Sequence, residues 1–319
     1  MKSLGRNPKP TRVRSLVIAA TLGAALVVPA SSHGAITIGS NLGRAPDNFL
    51  GGAPLTVAHN PLPPGIAAAG GTTSPVNGTV TTWRLRVGNS GSPTSLKVLR
   101  PTGGNFYQGV SNSATQNPLA NQTNTYPTSQ PIRIGDEIGV DCCVTNSFYL
   151  VANAANLTKF WNPPLANGGT PLPPTDPDIA FELPLNADIE PTSAFEIEKI
   201  QKLKNAKLRV TVNLPNPGEL VAGDKRSSST KAGATIAAKK KKKKKKKKKT
   251  LLTTTTRVVN AAGETTLTVK ATKAARTLLS QKGVSAKSKK KKIAATLRVK
   301  FTPTGGSATT ETQKTKLKK

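Results

Sequence analysis

Apolar and polar residues alternate along most of this sequence, and this period of two determines the class of fold. In TTWRLRV, Trp83, Leu85 and Val87 alternate with Arg84 and Arg86. Successive side chains of a β-strand point to opposite faces, so this spacing predicts strands with one buried face. Segments with the same spacing are Leu96 and Val98; Ile132 and Ile134; Ile138, Val140 and Cys142; Ile179, Phe181, Leu183 and Leu185; Leu208, Val210, Val212 and Leu214; Leu267 and Val269; and Leu297, Val299 and Phe301.

Turn sequences and a low aromatic content complete the prediction of fold class. Clusters such as GNSGSP, PTGG and NPLPPG separate the alternating segments, and their Gly and Pro residues interrupt regular structure. Aromatic residues make up 4% of the chain, which favours two small cores over one large core. We therefore expect an all-β protein of two small antiparallel β-sandwich domains, the first jelly-roll-like and the second Ig-like.

Two segments in the second half depart from this spacing. In FEIEKI, Phe195 and Ile197 alternate, but Ile200 is out of register by one. The segment KAARTLLSQKG does not alternate and ends in a glycine, which is a typical signal for the end of a helix. It predicts one helix of about three turns over residues 273–283, with Leu278 and Leu279 packed inward.

Charge divides the chain into two parts. The protein has 319 residues and a formal net charge of +32. Residues 36–198 contain 7 basic and 11 acidic side chains, whereas residues 199–319 contain 35 basic and 4 acidic ones. A change of this size indicates a domain boundary. We predict a first domain over residues 35–192 and a basic second domain over residues 193–319.

Residues 1–34 have the composition of an export signal. Five basic residues and no acid precede an apolar stretch from Ser15 to Ala30, which at about 16 residues is shorter than a membrane span. Small residues follow, and cleavage is expected near Ala30 or Gly34. An uncleaved membrane anchor is the alternative. With no second long apolar stretch in the sequence, we predict a secreted or cell-wall-associated protein without a transmembrane span after cleavage.

A run of eleven consecutive lysines is the most unusual segment of the second part. Like charges at this density repel, so we expect a disordered, solvated loop within an insertion at about residues 225–250. Such a loop binds polyanions by releasing their counterions. A solvated insertion without a dedicated partner is the alternative. The predicted polyanion-binding residues are Lys239, Lys240, Lys241, Lys242, Lys243, Lys244, Lys245, Lys246, Lys247, Lys248 and Lys249, with a second cluster at Lys289, Lys290, Lys291 and Lys292.

Sequence-specific binding of nucleic acid is not expected, despite the positive charge. Base recognition needs side chains that read base edges or stack on bases amid the basic residues. Residues 199–319 contain one aromatic residue, Phe301, at a position that alternation assigns to the core. The basic part is therefore expected to contact polymer backbones without sequence preference.

Cys142 and Cys143 are adjacent and are the only cysteines in the chain. Three states are open to them: a disulfide between neighbours, pairing between chains, or free thiols. Because neighbouring side chains of a strand point to opposite faces, alternation favours one thiol in the core and one exposed thiol.

Five carboxylates are candidates for acid–base or calcium chemistry. Asp136, Glu137 and Asp141 lie near one turn, and Asp176 and Asp178 lie in the segment TDPD. A glycosidase needs two carboxylates on either side of a sugar bond, and a calcium site needs several oxygen ligands that converge. The favoured interpretation of the Gly-Asp pair at Asp136 is a turn between strands, since Asp hydrogen-bonds to its own backbone.

One histidine and three aromatic residues complete the candidates. His59 is the histidine available to a catalytic triad, because His33 lies in the export signal. It lies in VAHNPLPPG, which predicts an exposed loop, and no GxSxG motif accompanies it. Trp161, Phe160 and Tyr149 are candidates for stacking on a sugar, and packing in a core or loop is the favoured interpretation.

Three motifs of the second part follow one another in a fixed order: PNPGEL, TLTVKATKAARTLLSQKG and FTPTGG. In this order, residues 195–319 resemble a small Ig-like module that recurs in extracellular proteins of high-GC actinobacteria. The segments WRLRVGNSGSPTSLKVLRPTGGNFYQGV and IRIGDEIGVDCC resemble the sandwich domain that often precedes such modules. The resemblance implies a secreted protein of two β-sandwich domains and no set of catalytic residues. The insertion at 225–250 departs from the pattern of the module.

These features favour an exported, non-enzymatic protein of the cell envelope or extracellular space, with no cofactor and no metal. Its basic second domain is expected to attach electrostatically to anionic cell-wall or extracellular polymers. The alternative is a first domain that binds glycans or acts on them, with calcium and with Asp136, Glu137 and Asp141 as acids. A sandwich fold alone does not distinguish these functions.

Overall fold

A computed structural model of the protein describes residues 35–153, 155–224, 250–280 and 292–318. These residues confirm the all-β prediction, since every pairing between the named strands is antiparallel. The strands before residue 192 are β1 Ile36–Gly39, β2 Asn48–Leu50, β3 Leu55–His59, β4 Gly78–Arg86, β5 Ser95–Gly103, β6 Phe106–Asn112, β7 Thr123–Ile132, β8 Glu137–Cys142, β9 Ser147–Ala152, β10 Thr158–Trp161, β11 Asp176–Ile179, β12 Phe181–Glu182 and β13 Leu185–Pro191.

Two sheets of this half enclose a common core. One has the strand order β1-β13-β4-β7 and the other the order β11-β10-β3-β8-β5-β6, while β12, β9 and β2 form a small third sheet. Apolar side chains from the inner faces of both large sheets meet in one cluster, as in a β-sandwich. The cluster includes Ile38, Leu55, Val57, Val80, Trp83, Leu85, Leu96, Val98, Ile132, Ile138, Val140, Leu185, Ala187 and Ile189.

Most inward positions predicted from alternation are confirmed, but Ile179 and Phe181 are only partly buried, because the predicted late strand is divided among β11, β12 and β13. Ile134 is the clearest exception. Trp83, Leu85 and Val87 are fully buried. Ile134 is 48% exposed, because β7 ends at Ile132 and the chain turns before β8. A period of two holds only as long as the strand continues.

The six-stranded sheet is buried on both faces. The alternation of apolar and polar residues in the sequence predicts only one buried face for its strands. Residues 162–175 cross its outer face. The Leu165 carbonyl there accepts a hydrogen bond from Lys97 Nζ at 2.5 Å, and the Leu172 carbonyl accepts one from Trp161 Nε1 at 3.2 Å. We call this outer surface the covered face; its side chains include Thr56, Ala58, Lys97, Leu99, Tyr107, Asn112, Glu137, Asp141, Lys159 and Trp161.

The second half forms another sandwich with its own core. Its sheets have the strand orders β14-β15-β18 and β17-β16-β19-β20. The core includes Leu208, Val210, Val212, Leu214, Leu220, Leu267, Val269, Leu297, Val299 and Phe301. The elements are β14 Glu196–Leu203, β15 Lys207–Leu214, β16 Gly218–Gly223, β17 Thr255–Val259, β18 Gly263–Lys270, α1 Lys273–Ser280, β19 Lys292–Pro303 and β20 Thr309–Lys318.

The two predicted departures from alternation both have structural counterparts. The register between β14 and β15 shifts between Ile197 and Lys199, which is the β-bulge that puts Ile200 out of step. The predicted helix is α1, and it buries Leu279 while Leu278 is 37% exposed. The inward prediction is therefore confirmed for Leu279 and wrong for Leu278. The predicted C-terminal glycine, Gly283, lies outside the described residues.

Two asparagines join the halves. Asn216 Nδ2 donates to the carbonyl oxygens of Asn77 and Thr192, at 2.8 Å each. The Asn77 N–H donates to Asn216 Oδ1 at 2.7 Å, and Asn77 Nδ2 donates to the Pro215 carbonyl at 2.7 Å. Asn216 is fully buried. The domain boundary itself stays a prediction. Within the described ranges, no helix has the length and apolar character needed to cross a bilayer.

Candidate functional site

The predicted lysine clusters fall mainly on residues whose structure is not described. The run Lys239–Lys249 and the residues Lys289–Lys291 lie outside the described residues. Lys292 is the first residue of β19 and is exposed. The role of these lysines in polyanion binding therefore stays a prediction.

The described basic residues of the second half point outward from its strands. Lys314, Lys316 and Lys318 alternate with neutral residues along β20, and all three are exposed. Lys318 pairs directly with Lys292 of β19. Residues two apart on a strand are separated by roughly 7 Å, so these lysines form a continuous positive row.

A second concentration of charge lines a groove of about 740 Å³ beside α1. Lys207 of β15 lies directly opposite Lys270 of β18, and Lys273 and Arg276 of α1 complete the basic lining. Like charges opposite each other in a sheet destabilise the pairing, and the described lining contains no carboxylate to offset them. We call this site the basic groove.

Salt bridges occur in the first half. Arg84 pairs with Asp188, Lys97 with Asp141, Arg100 with Asp136 and Lys159 with Glu137. Among the described residues after 192, no lysine or arginine lies within salt-bridge distance of a carboxylate side chain. Their charge is therefore available to an external anion.

The predicted acids near the first turn do not converge on one point. Asp136 receives two hydrogen bonds of 2.8 Å from the Arg100 guanidinium. It also accepts a 2.8 Å bond from the Arg133 backbone N–H across the turn at Gly135. Gly135 has a φ of +84°, a conformation that favours glycine. Asp136 thus has the structural role expected of a turn.

Glu137 and Asp141 lie on the covered face, each beside a different lysine. Lys159 Nζ is 2.8 Å from Glu137 Oε2, in a charge contact without hydrogen-bond alignment, and it donates to the Tyr107 hydroxyl at 2.9 Å. Burial raises the pKa of Glu137 above its usual value, and the Lys159 ammonium opposes this shift. Asp141 accepts hydrogen bonds from Lys97, Asn112 and Thr56.

The burial of both lysines on this face was not apparent from the sequence pattern. Lys97 and Lys159 are 1% and 2% exposed, although alternation places a polar residue such as Lys97 of SLKVL on a solvent face. The sequence feature that could have indicated burial is a single lysine among strongly apolar residues, in SLKVL and in TKFW. A charged group on a buried face needs a partner, and the partners come from distant strands.

The remaining carboxylate candidates do not form a metal site within the described ranges. Asp176 and Asp178 are exposed on the short strand β11. No group of three or more His, Cys, Asp or Glu side chains in the described residues has the geometry to hold a metal ion.

Cys142 and Cys143 form a disulfide with each other, and both are buried in the first core. The expectation of one core thiol and one exposed thiol was wrong. Strand β8 ends at Cys142, and Cys143 has a φ of +81°. Alternation of side chains therefore stops between the two cysteines, and both side chains remain on the inner side.

His59 and the aromatic candidates are also part of the interior. His59 ends β3 and is 1% exposed, so the prediction of an exposed loop was wrong. Trp161 and Tyr149 are buried. The Tyr149 hydroxyl donates to the Ser92 carbonyl at 2.5 Å and accepts from the Ser92 N–H at 2.8 Å. These two rings therefore pack as core residues, and Phe160 is partly buried against the same core.

Comparisons of the chain with protein-family models, with curated protein sequences and with solved structures find no match. The resemblance to an actinobacterial Ig-like module therefore stays a prediction from the motifs.

Proposed function

We propose that this protein is an exported, non-enzymatic protein of the cell envelope or extracellular space, and that its basic second half attaches to anionic polymers. The observation that carries this proposal is the basic groove, where Lys207, Lys270, Lys273 and Arg276 surround one concavity without a carboxylate in the described lining. The polymers are phosphate-containing or acidic glycan chains, bound through charge and without sequence preference.

The strength of such attachment depends on the number of charge contacts made at once. One exposed ion pair contributes about 1 kcal/mol or less in water, so a single lysine does not hold a polymer. The row Lys314, Lys316 and Lys318 has a spacing of roughly 7 Å, which is within the screening length of about 8 Å in physiological salt. A polymer that follows this row, or one that enters the basic groove, makes several contacts at once.

The first half contributes little to this attraction. It contains 7 basic and 11 acidic side chains over residues 36–198. Four of the basic side chains are paired with carboxylates in salt bridges. We propose that this half is displayed while the second half binds.

Elution from a heparin column in rising NaCl tests the proposal. Replacing Lys207 and Lys270 by Gln removes two charges from the basic groove, and we expect elution at lower salt. The slope of log affinity against log salt is expected to fall by about one per lysine that contacts the polymer. Deleting Lys239–Lys249 tests the predicted role of the lysine run in the same assay.

The matched control removes two charges from the first half. Arg44 and Arg133 are exposed and form no salt bridge among the described residues. Replacing both by Gln is expected to change elution much less than the groove variant. Equal shifts for the two variants would mean that net charge alone governs retention, and no shift in the groove variant or the deletion would contradict the proposal. Fractionation of cells tests export separately, and a protein retained in the cytosol would overturn that part.

A further inference from the structure

A lysine, an asparagine and an aspartate meet on the covered face, away from the basic surfaces. Lys97 Nζ donates to Asn112 Oδ1 at 2.9 Å, and Asn112 Nδ2 donates to Asp141 Oδ2 at 2.6 Å. The same Asp141 oxygen lies 3.2 Å from Lys97 Nζ. One carboxylate oxygen therefore contacts both the amine and the amide nitrogen.

We propose that Lys97 and Asn112 react to form an intramolecular isopeptide bond, with Asp141 as the catalytic proton carrier. Asp141 Oδ2 takes a proton from the Lys97 ammonium, and the neutral amine attacks Asn112 Cγ. The Nζ–Cγ bond forms and the Cγ–Nδ2 bond breaks.

The step balances without an external reagent. Protonated Asp141 gives this first proton to the departing nitrogen as the Cγ–Nδ2 bond breaks. The carboxylate then takes the second proton from the attacking nitrogen and passes it to the ammonia. The products are a secondary amide and an ammonium ion. Asp141 returns to its carboxylate form, and nothing is oxidised or reduced.

The positions of the atoms suit this attack. A carbonyl bond is about 1.2 Å long, so Asn112 Cγ lies within roughly 4 Å of Lys97 Nζ, close to the separation of about 3 to 3.5 Å at which bonds form. Lys97 and Asn112 are direct partners across β5 and β6. The Leu165 carbonyl also accepts a hydrogen bond from Nζ at 2.5 Å.

Burial protects the reaction and leaves an exit. Lys97 is 1% exposed, which keeps water away from the reacting amine. A Cβ at Gly109 would lie 2.8 Å from Lys97 Cε and 2.7 Å from the Ala166 carbonyl, so glycine makes room for the lysine stem. The Asp141 side chain is 24% exposed, and this opening gives ammonia a route to solvent.

The other buried lysine of this face provides an internal comparison. Lys159 Nζ contacts the Glu137 carboxylate and the Tyr107 hydroxyl, and no described asparagine or glutamine amide lies within hydrogen-bonding distance of it. An amine without an adjacent amide has no carbonyl carbon to attack. The proposal therefore assigns the cross-link to Lys97 and none to Lys159.

The bond has a mechanical consequence for the sheet. β6 is at the end of the strand order and pairs only with β5 within that sheet. On its other side, β6 has backbone hydrogen bonds to a loop and not to a strand: Tyr107 and Leu172 exchange two, and the Gly168 N–H donates to the Gly109 carbonyl. A covalent link between Lys97 and Asn112 fastens β6 to β5 independently of these bonds.

Mass spectrometry of the full chain tests the proposal. The protein is reduced, denatured and digested with trypsin. We expect one peptide of residues 87–133, because trypsin does not cut at a cross-linked Lys97 or between Arg100 and Pro101. Its mass is expected to be about 17 Da below that of the same linear segment because ammonia has left. Linear peptides with free Lys97 and intact Asn112 after prolonged incubation of the folded protein would overturn the proposal.

Substitutions at the site distinguish a loss of the cross-linking reaction from a loss of folding. Asp141→Asn preserves the shape of the side chain, and we expect a folded protein, by circular dichroism, that cross-links at least about tenfold more slowly. Lys159→Arg, the matched control, is expected to cross-link fully. Lys97→Arg is expected to form no cross-link. Asn112→Asp is expected to give a cross-linked peptide of the same mass as the wild type, since water leaves instead of ammonia, and it keeps the proposal testable if Lys97→Arg does not fold. Wild-type cross-linking rates in folded Asp141→Asn would overturn the role of Asp141.

Discussion

His59 illustrates how a single residue acquires its properties from burial. Its Nε2 lies 3.1 Å from the Leu185 carbonyl, so Nε2 carries the proton and donates. Its Nδ1 has no hydrogen-bond partner among the described residues. Protonation of the ring would place a second N–H in the interior without an acceptor. Burial therefore lowers the pKa of His59 from 6.5 to about 4, the Leu185 carbonyl opposes this shift, and the nearby Lys159 adds to it.

The lowered pKa of His59 predicts a loss of stability in mild acid. In the unfolded chain the ring gains its proton near pH 6.5, whereas in the folded protein it does so near pH 4. The contribution of neutral His59 is therefore complete above pH 6.5 and is lost as the pH falls toward 4. We expect the decrease in unfolding free energy between about pH 7.5 and about pH 4.5 to be about 2 to 3 kcal/mol smaller in His59→Gln.

Urea unfolding at the two pH values measures this difference. Gln retains a donor for the Leu185 carbonyl but does not titrate. Parallel pH profiles for the wild type and His59→Gln would contradict the assignment, because carboxylates would then account for all of the acid sensitivity.

At the scale of elements, α1 gives a matched pair of positions. Leu279 is 6% exposed and packs in the second core, whereas its neighbour Leu278 is 37% exposed. We expect Leu279→Ala to lower the free energy of unfolding by about 2 to 4 kcal/mol through loss of buried area and a residual cavity. We expect Leu278→Ala to change it by roughly 0.5 kcal/mol or less. Chemical denaturation measures both, and equal costs would show that the helix does not pack as described.

Strands with one face toward solvent were predictable from the sequence. The four apolar positions of β15, from Leu208 to Leu214, follow the period of two and are all buried, whereas Arg209 and Asn213 between them are exposed. The strand β5 shows the opposite case, since Ser95, Leu96, Lys97, Val98 and Leu99 are all buried. Its outer side is covered by residues 162–175, which lie far along the chain, and no local pattern encodes that cover.

At the scale of the whole molecule, two buried cores meet at a small polar junction. Asn216 satisfies the backbone N–H and carbonyl of Asn77 and the carbonyl of Thr192. Buried polar groups that lose their partners cost about 1 to 3 kcal/mol. The hydrogen bonds of Asn216 therefore stabilise the connection between the halves.

Asn216→Ala is expected to weaken the coupling between the halves. Both tryptophans, Trp83 and Trp161, belong to the first half, so their fluorescence follows that half, while circular dichroism follows both. In urea we expect the transitions seen by the two probes to lie further apart in Asn216→Ala than in the wild type. The control Asn213→Ala removes an exposed asparagine of the preceding strand and is expected to leave the separation unchanged. Unchanged separation in Asn216→Ala would show that the junction does not couple the halves.

The sequence by itself determined the class of fold, the inner faces of most strands, the position of the one described helix and the separation of charge, because each of these depends on residues close together in the chain. Only the tertiary structure decided what lies on the covered face. Lys97, Asn112 and Asp141 come from three strands, and their meeting depends on the register of β5 with β6 and β8. Register is a property of pairing between distant segments, so the chemistry of this face emerges only when the sheet is assembled.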